Sequence, residues 1–157
     1  MPEDKERFFR EMLSLYYAHR SYNIRYYASL GLTSGQPKVL NVLYDEEGYL
    51  QKDLAVRCRV EPATMTSLLA KMEKQDMIKK ETVYVSGGKR AYAIYLTDHG
   101  RKLAHQVADK AAQADRIALA GMSDEEASKL MDLMRRARCN IEAQLEENSW
   151  EGTWKSL

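Results

Sequence analysis

Residues 51–80 read QKDLAVRCRVEPATMTSLLAKMEKQDMIKK, and the placing of apolar and helix-opening residues in this stretch decides the fold. Leu50, Leu54, Ala55 and Cys58 recur at helical spacing over a short segment. Glu61-Pro62 then opens a second helix, because proline has its φ pre-set for the first helical position and needs no N–H there. Along that helix Met65, Leu68, Leu69 and Met72 fill one face and are expected to be core. Ala63, Thr64, Ser67, Ala70, Lys71 and Lys74 lie on or near the opposite face. Two short helices joined by a tight turn are expected, the second with an outer face that is small, hydroxylated and basic.

Toward the C-terminus the period changes. Ile78 to Val85 and Ala91 to Leu96 are rich in Val, Ile, Tyr and Thr, and Ser86-Gly87-Gly88-Lys89-Arg90 lies between them, which predicts a β-hairpin with a basic tip. Thr97 is placed to cap a long helix running to about Ala120, and Ser123-Asp124-Glu125-Glu126 reads as a capping box opening another. Leu130, Leu133, Met134, Ala137, Ile141 and Leu145 form the apolar stripe of that last helix. Toward the N-terminus, Phe9, Met12, Leu13, Tyr16, Arg20, Ile24 and Tyr27 predict a helix over about residues 4–29. A second helix is expected to start near Ser34, capped by Thr33 or Ser34 with Pro37 in its first turn, and to stop by Gly48.

The whole is read as mainly α with a small β-hairpin wing, a winged helix-turn-helix flanked by N- and C-terminal dimerisation helices. At 157 residues and 45% hydrophobic, one domain with a real core is expected. Within it residues 32–97 form the lobe, 1–30 and 98–148 the dimerisation helices, and 149–157 a tail that is either disordered or docked by Trp150 and Trp154. The apolar stripes of the flanking helices exceed what a lobe of that size covers, so a homodimer is the expected use. No apolar run approaches the roughly 18 residues of a membrane span, and the start MPEDKERFFREML is charged where a secretory signal is apolar, so a cytoplasmic protein without a membrane partner is expected. Cys58 and Cys139 are then expected to be reduced.

The net charge of +1 conceals an asymmetry: residues 51–102 hold 11 Lys/Arg against 6 Asp/Glu, a balance of +5, and the other 105 residues hold 13 against 17, a balance of −4. A basic helix-turn-helix and wing form the footprint of a duplex DNA binder, in which the second helix enters the major groove. Pro62 starts that helix. Ala63 and Ser67 permit close approach to base edges, Thr64 and Thr66 offer hydroxyl donors, and Lys71 and Lys74 can pair with phosphates. Lys89 and Arg90 mark the wing, with Arg90 placed for a narrow minor groove. The competing reading is a winged-helix module that binds a protein partner without touching DNA. Tyr16, His19, Arg20 and Tyr26 either line a pocket for an aromatic effector or pack the dimer interface. Cys58, between Arg57 and Arg59, is either a thiol of lowered pKa acting as a redox switch or a small buried residue of the inner helix face. His19, His99 and His105 do not have metal-site spacing, and no phosphate loop, nucleophile elbow or catalytic carboxylate pair stands out. Neither an enzyme nor a cofactor is expected.

From Leu32 to Arg101 the chain resembles the MarR (multiple antibiotic resistance regulator) family. Residues 51–80 are similar to its helix-turn-helix, with Leu54-Ala55 in the first helix and Pro62, Thr64 and Thr66 at the start of the recognition helix. YLTDHGRKL, residues 95–103, is similar to the Leu-Thr-x-x-Gly-Arg signature after the wing. The resemblance implies a homodimeric transcriptional regulator on a pseudo-palindromic operator, released by a small ligand or by thiol oxidation. Two positions depart from the family pattern. Gly88-Lys89-Arg90 stands where the wing usually reads Asp-x-Arg, and Leu50 stands where a capping Thr or Ser is usual.

Overall fold

The computed structural model describes residues 3–147, with side chains from residue 7 to residue 144. Its elements are α1 (Glu3–Ser29), α2 (Gln36–Asp45), β1 (Tyr49–Leu50), α3 (Gln51–Arg57), α4 (Pro62–Lys74), β2 (Ile78–Val85), β3 (Lys89–Leu96), α5 (Asp98–Ala118) and α6 (Asp124–Glu147). The strands form one antiparallel sheet in the order β1-β3-β2. Two compact units are present, residues 1–118 and 119–157. The division falls after α5, so α5 shares a unit with the lobe that the sequence reading set apart from it. The tail from residue 148, with Trp150 and Trp154, and the side chain of Leu145 lie outside the described residues.

In the first unit the expected faces meet in one core. Leu40 and Leu43 of α2, Leu54 of α3, and Met65, Leu69 and Met72 of α4 are fully buried, and Ile94, Ala104 and Val107 close the cluster from β3 and α5. Each leucine so buried contributes about 1.5–3 kcal/mol. Leu68, expected in this set, is only half-buried and packs at its margin.

Helix α2 begins at Gln36 behind Gly35, which sits at φ 89, and neither Thr33 nor Ser34 caps it. Instead the Gln36 side chain turns back, and its Oε1 accepts from the Thr33 amide at 2.8 Å. Pro37 does occupy the first turn. Strand β1 was not anticipated: two residues pair with β3, Tyr49 opposite Ile94 and Leu50 opposite Ala93. Leu50 is therefore both a strand residue and the N-cap of α3, and no side-chain cap bond forms there.

The hairpin is longer than expected on its second strand, because Lys89 pairs with Val85 and Arg90 with Tyr84. Only Ser86-Gly87-Gly88 remain as the turn. Gly88, at φ 69, closes it by donating its amide to Val85 O at 3.0 Å.

Thr97 caps α5 as expected. Its hydroxyl accepts from the Gly100 amide at 2.9 Å and donates to Asp76 O, while its own amide donates to Met77 O at 3.1 Å. In the second unit the capping box is complete: the Ser123 amide donates to Glu126 Oε2 at 2.8 Å, and the Glu126 amide donates to Ser123 Oγ at 3.2 Å. These bonds hold the Glu126 carboxyl below its usual pKa.

Candidate nucleic-acid interface

Helix α4 carries the site because its buried stripe of Met65, Leu69 and Met72 faces the core and turns the other side outward. Pro62, Ala63, Thr64, Thr66, Ser67, Lys71 and Lys74 are all exposed on it. Their order along the helix is chemical: small and hydroxylated residues occupy the first turns and cations the last. That places Lys71 and Lys74 near the negative end of the helix dipole, which they complement.

The hydroxyls are more committed than the sequence suggests. Thr66 Oγ1 donates to Pro62 O at 2.9 Å and accepts from Gln51 Nε2 at 2.8 Å. Ser67 Oγ donates to Ala63 O at 3.2 Å. Both protons point back into the helix, so what these residues present outward is oxygen lone pairs, which suit amino-group donors of bases and not phosphate oxygens. The Thr66 hydroxyl that the sequence offers as a donor thus has its proton engaged on Pro62 O in the free protein. Lys71 Nζ donates to Thr33 Oγ1 at 3.2 Å, which draws its ammonium toward the α1–α2 junction.

On the wing, Arg90 and Lys89 sit in β3 and are exposed. Arg90 does not project freely. Its Nη2 reaches Thr82 Oγ1 at 3.4 Å and its guanidinium lies 5.1 Å from the centre of the Tyr92 ring. Among the described residues Lys71, Lys74, Lys89 and Arg90 pair with no carboxylate. Lys79 and Lys80, by contrast, bind Glu81 at 2.8 Å and Glu73 at 3.0 Å. The outer face of α4 and the wing thus each carry positive charge that no carboxylate neutralises.

The other candidates are not brought to this surface. Cys58 is fully buried at the end of α3, and burial pushes its thiol pKa up. The lowered pKa expected from Arg57 and Arg59 does not arise; the opposing charge is Lys38. Tyr26 lines an open recess of about 410 Å³ between α1 and α5 with Asp109, Lys110, Gln113 and Arg116. Lys110 Nζ stands 4.0 Å from the Tyr22 ring centre and 5.4 Å from that of Tyr26. His19 lies on the same seam, 3.1 Å from Asp115, whereas Tyr16 and Arg20 are exposed and do not line the recess.

Sequence reading missed two supports of the site. Glu47 accepts from the Leu96 amide at 2.9 Å and pairs with Arg101, which ties the α2–β1 loop to the base of the wing. Gln36, fully buried, donates from Nε2 to Gln75 Oε1 at 2.6 Å, just past the end of α4. Neither shows in a hydrophobic pattern.

The profile described as MarR family matches residues 30–86, the span from the end of α1 through β2. The HTH-type transcriptional regulator MgrA of Staphylococcus aureus is 32% identical over 127 residues, an alignment covering 77% of this chain and 82% of that protein. The chain belongs to the MarR family of transcriptional regulators. Among solved MarR-like structures, the transcriptional regulator SlyA is 26% identical, with a TM-score of 0.74 over 88% of this chain and 96% of that one. A MarR family regulator of Listeria monocytogenes, solved in complex with a 26mer DNA, has a TM-score of 0.79 at 19% identity, over 92% of this chain and 95% of that one; it shows the winged-helix fold. At the two departures from the MarR pattern, Gly88 closes the wing turn through its own left-handed backbone, and Leu50 pairs with Ala93 in the sheet while α3 starts without a side-chain cap.

Proposed function

We propose that this MarR-family regulator is a cytoplasmic homodimer that binds a pseudo-palindromic DNA operator and represses transcription by occluding it. The observation that carries this reading is the exposed, carboxylate-free cation set on α4 and the wing. Lys71, Lys74, Lys89 and Arg90 stand around a helix face whose remaining residues are small or hydroxylated. Residues 62–74 enter the major groove, with Ala63, Thr64, Thr66 and Ser67 against base edges and the lysines on phosphates. The wing follows the backbone to the flanking minor groove, where Arg90 leaves Tyr92 for the deeper negative potential. Two copies place these helices on half-sites about one turn of duplex apart. The DNA-bound Listeria relative supports the mode of docking.

The test is fluorescence anisotropy of the purified protein on the duplex upstream of its own coding region and on a scrambled duplex, at two salt concentrations. Tight, selective binding that weakens with salt is expected. Binding to neither duplex at low salt would refute the reading and favour a protein-binding winged helix.

Release by a small aromatic anion is supported by the α1–α5 recess, where Tyr22 and Tyr26 flank Lys110 with Arg116 on the same lining. Calorimetry with a panel of phenolic and benzoic acids tests it; no heat and unchanged operator affinity would remove it. Release by oxidation of Cys58 is not part of the proposal, since the sulfur is buried and its thiol is held protonated.

A further inference from the structure

Gln36 is a fully buried amide in a core of leucine and methionine. Burying an amide costs free energy unless it is bonded, and even then an apolar side chain of the same size fills such a place as well. What the amide adds is direction, since a hydrogen bond specifies an orientation that apolar contact does not. Here that direction is from the start of α2 to the end of α4: Oε1 holds the Thr33 amide at 2.8 Å and Nε2 holds Gln75 Oε1 at 2.6 Å.

Two more contacts run the same way. Thr33 Oγ1 accepts from Lys71 Nζ at 3.2 Å. A Cβ on Gly35 would stand 3.0 Å from Leu68 Cδ2, so the backbone itself comes against α4 at that point. Residues 33, 35 and 36 thus grip Lys71, Leu68 and Gln75. In order along the chain, Leu68, Lys71 and Gln75 are spaced i, i+3 and i+7, a stripe that runs down the last turns of α4 to its C-cap. The stripe lies beside the exposed face of Ala63, Thr64, Ser67 and Lys74. A grip on it sets how far α4 is rolled about its axis, and hence which side chains face outward.

We propose that the Gln36–Gln75 pair is a positioning device for DNA recognition: it fixes the roll and axial placement of α4, while Thr33 aims Lys71. Gln36 and Gln75 are positioning residues and touch no base themselves. This inference rests on the DNA-binding reading above.

The test uses the full-length protein and a duplex that the parent selects from a randomised pool. Copies of that duplex with the half-sites moved one base pair closer or further apart are compared with a random duplex. Gln75 is exposed, so Gln75→Met removes the acceptor without opening a cavity, although it leaves the buried Gln36 donor unpaired. Gln75→Met is expected to stay folded with a modestly lower melting midpoint, to bind the selected duplex about tenfold more weakly, and to bind random duplex unchanged. Its preference for the selected half-site spacing should flatten. Gln75→Glu keeps an acceptor for Gln36 Nε2; its added charge weakens binding to selected and random duplex alike, so its selected-to-random ratio should return to within about twofold of the parent's. Gln36→Met should reproduce Gln75→Met; if it does not fold, Gln75→Met decides alone. A folded Gln75→Met with the parent's selectivity and spacing profile would overturn the inference, as would equal losses on selected and random duplex. Failure of the parent to select any duplex would instead bring down the DNA-binding reading, and this inference with it.

Discussion

At Gly100 the chain allows no side chain: a Cβ would lie 1.7 Å from Met77 O, a backbone atom that cannot swing aside. Gly100→Ala is therefore expected to destabilise the first unit by about 3 kcal/mol, seen as a lower denaturation midpoint, because α5 must move off the start of β2. A midpoint equal to the parent's would show that this approach is not held in solution. The glycine was visible in the sequence within Leu-Thr-x-x-Gly-Arg, but its reason is a contact with a residue 23 positions earlier. Cys58 shows the opposite case. Its neighbours Arg57 and Arg59 raised the reading of a reactive thiol, yet adjacent residues at the end of a helix point in different directions. Arg57 lies 4.4 Å from the Tyr49 ring centre, while the sulfur faces the core. With its pKa raised, the thiol is protonated until pH passes above the usual thiol range. In the native protein a thiol reagent near neutral pH should label exposed Cys139 at once and Cys58 only on adding denaturant. Rapid labelling of both would contradict the burial.

Elements were legible wherever a periodic pattern met a specific start signal. Pro62 opened α4, Thr97 opened α5, and the box from Ser123 to Glu126 opened α6, each where expected. The misses arose where pairing or packing at a distance replaced a local signal. Strand β1 is too short to show an alternation and exists through its bonds to β3. Lys89 and Arg90 looked like turn residues by charge and became strand residues because the two glycines before them close the turn unaided. The α6 box carries a pH prediction. Glu126 has a depressed pKa, so its unfolded form takes up a proton first as the solution is acidified. The stabilisation it gives is complete above the ordinary carboxylate range and is lost as pH falls through the depressed value. Acid titration by NMR should show the Ser123 amide shift following that pKa, and Glu126→Gln should abolish the titration. An amide that titrates equally in the variant would mean the Glu126 carboxylate is not its partner.

For the molecule as a whole, the exposed apolar surface is the feature a single copy leaves without explanation. On α1, Phe8, Phe9, Met12, Leu15, Tyr16 and Tyr17 are each 46% exposed or more. On α6 the same holds for Met131, Leu133, Met134 and Ile141. Isolated exposed leucines need no cause, but runs of this kind on two helices do. A second copy is the occupant that also serves the proposed operator, since two linked recognition helices gain far more from a paired site than either gains from half of it. Light scattering at micromolar concentration should give twice the 18.1 kDa of the chain. Met134→Glu with Ile141→Glu should give a monomer whose first unit still melts cooperatively, because neither residue belongs to that unit. On a duplex with both half-sites this monomer should bind at least about a hundredfold more weakly than the parent, and on a single half-site nearly as well. A parent that is monomeric at these concentrations would leave the apolar faces to another partner. A glutamate variant that stays dimeric would move the contact from α6 to α1. Equal losses on one and two half-sites would mean that the substitutions had damaged α4 itself rather than the link between two copies of it.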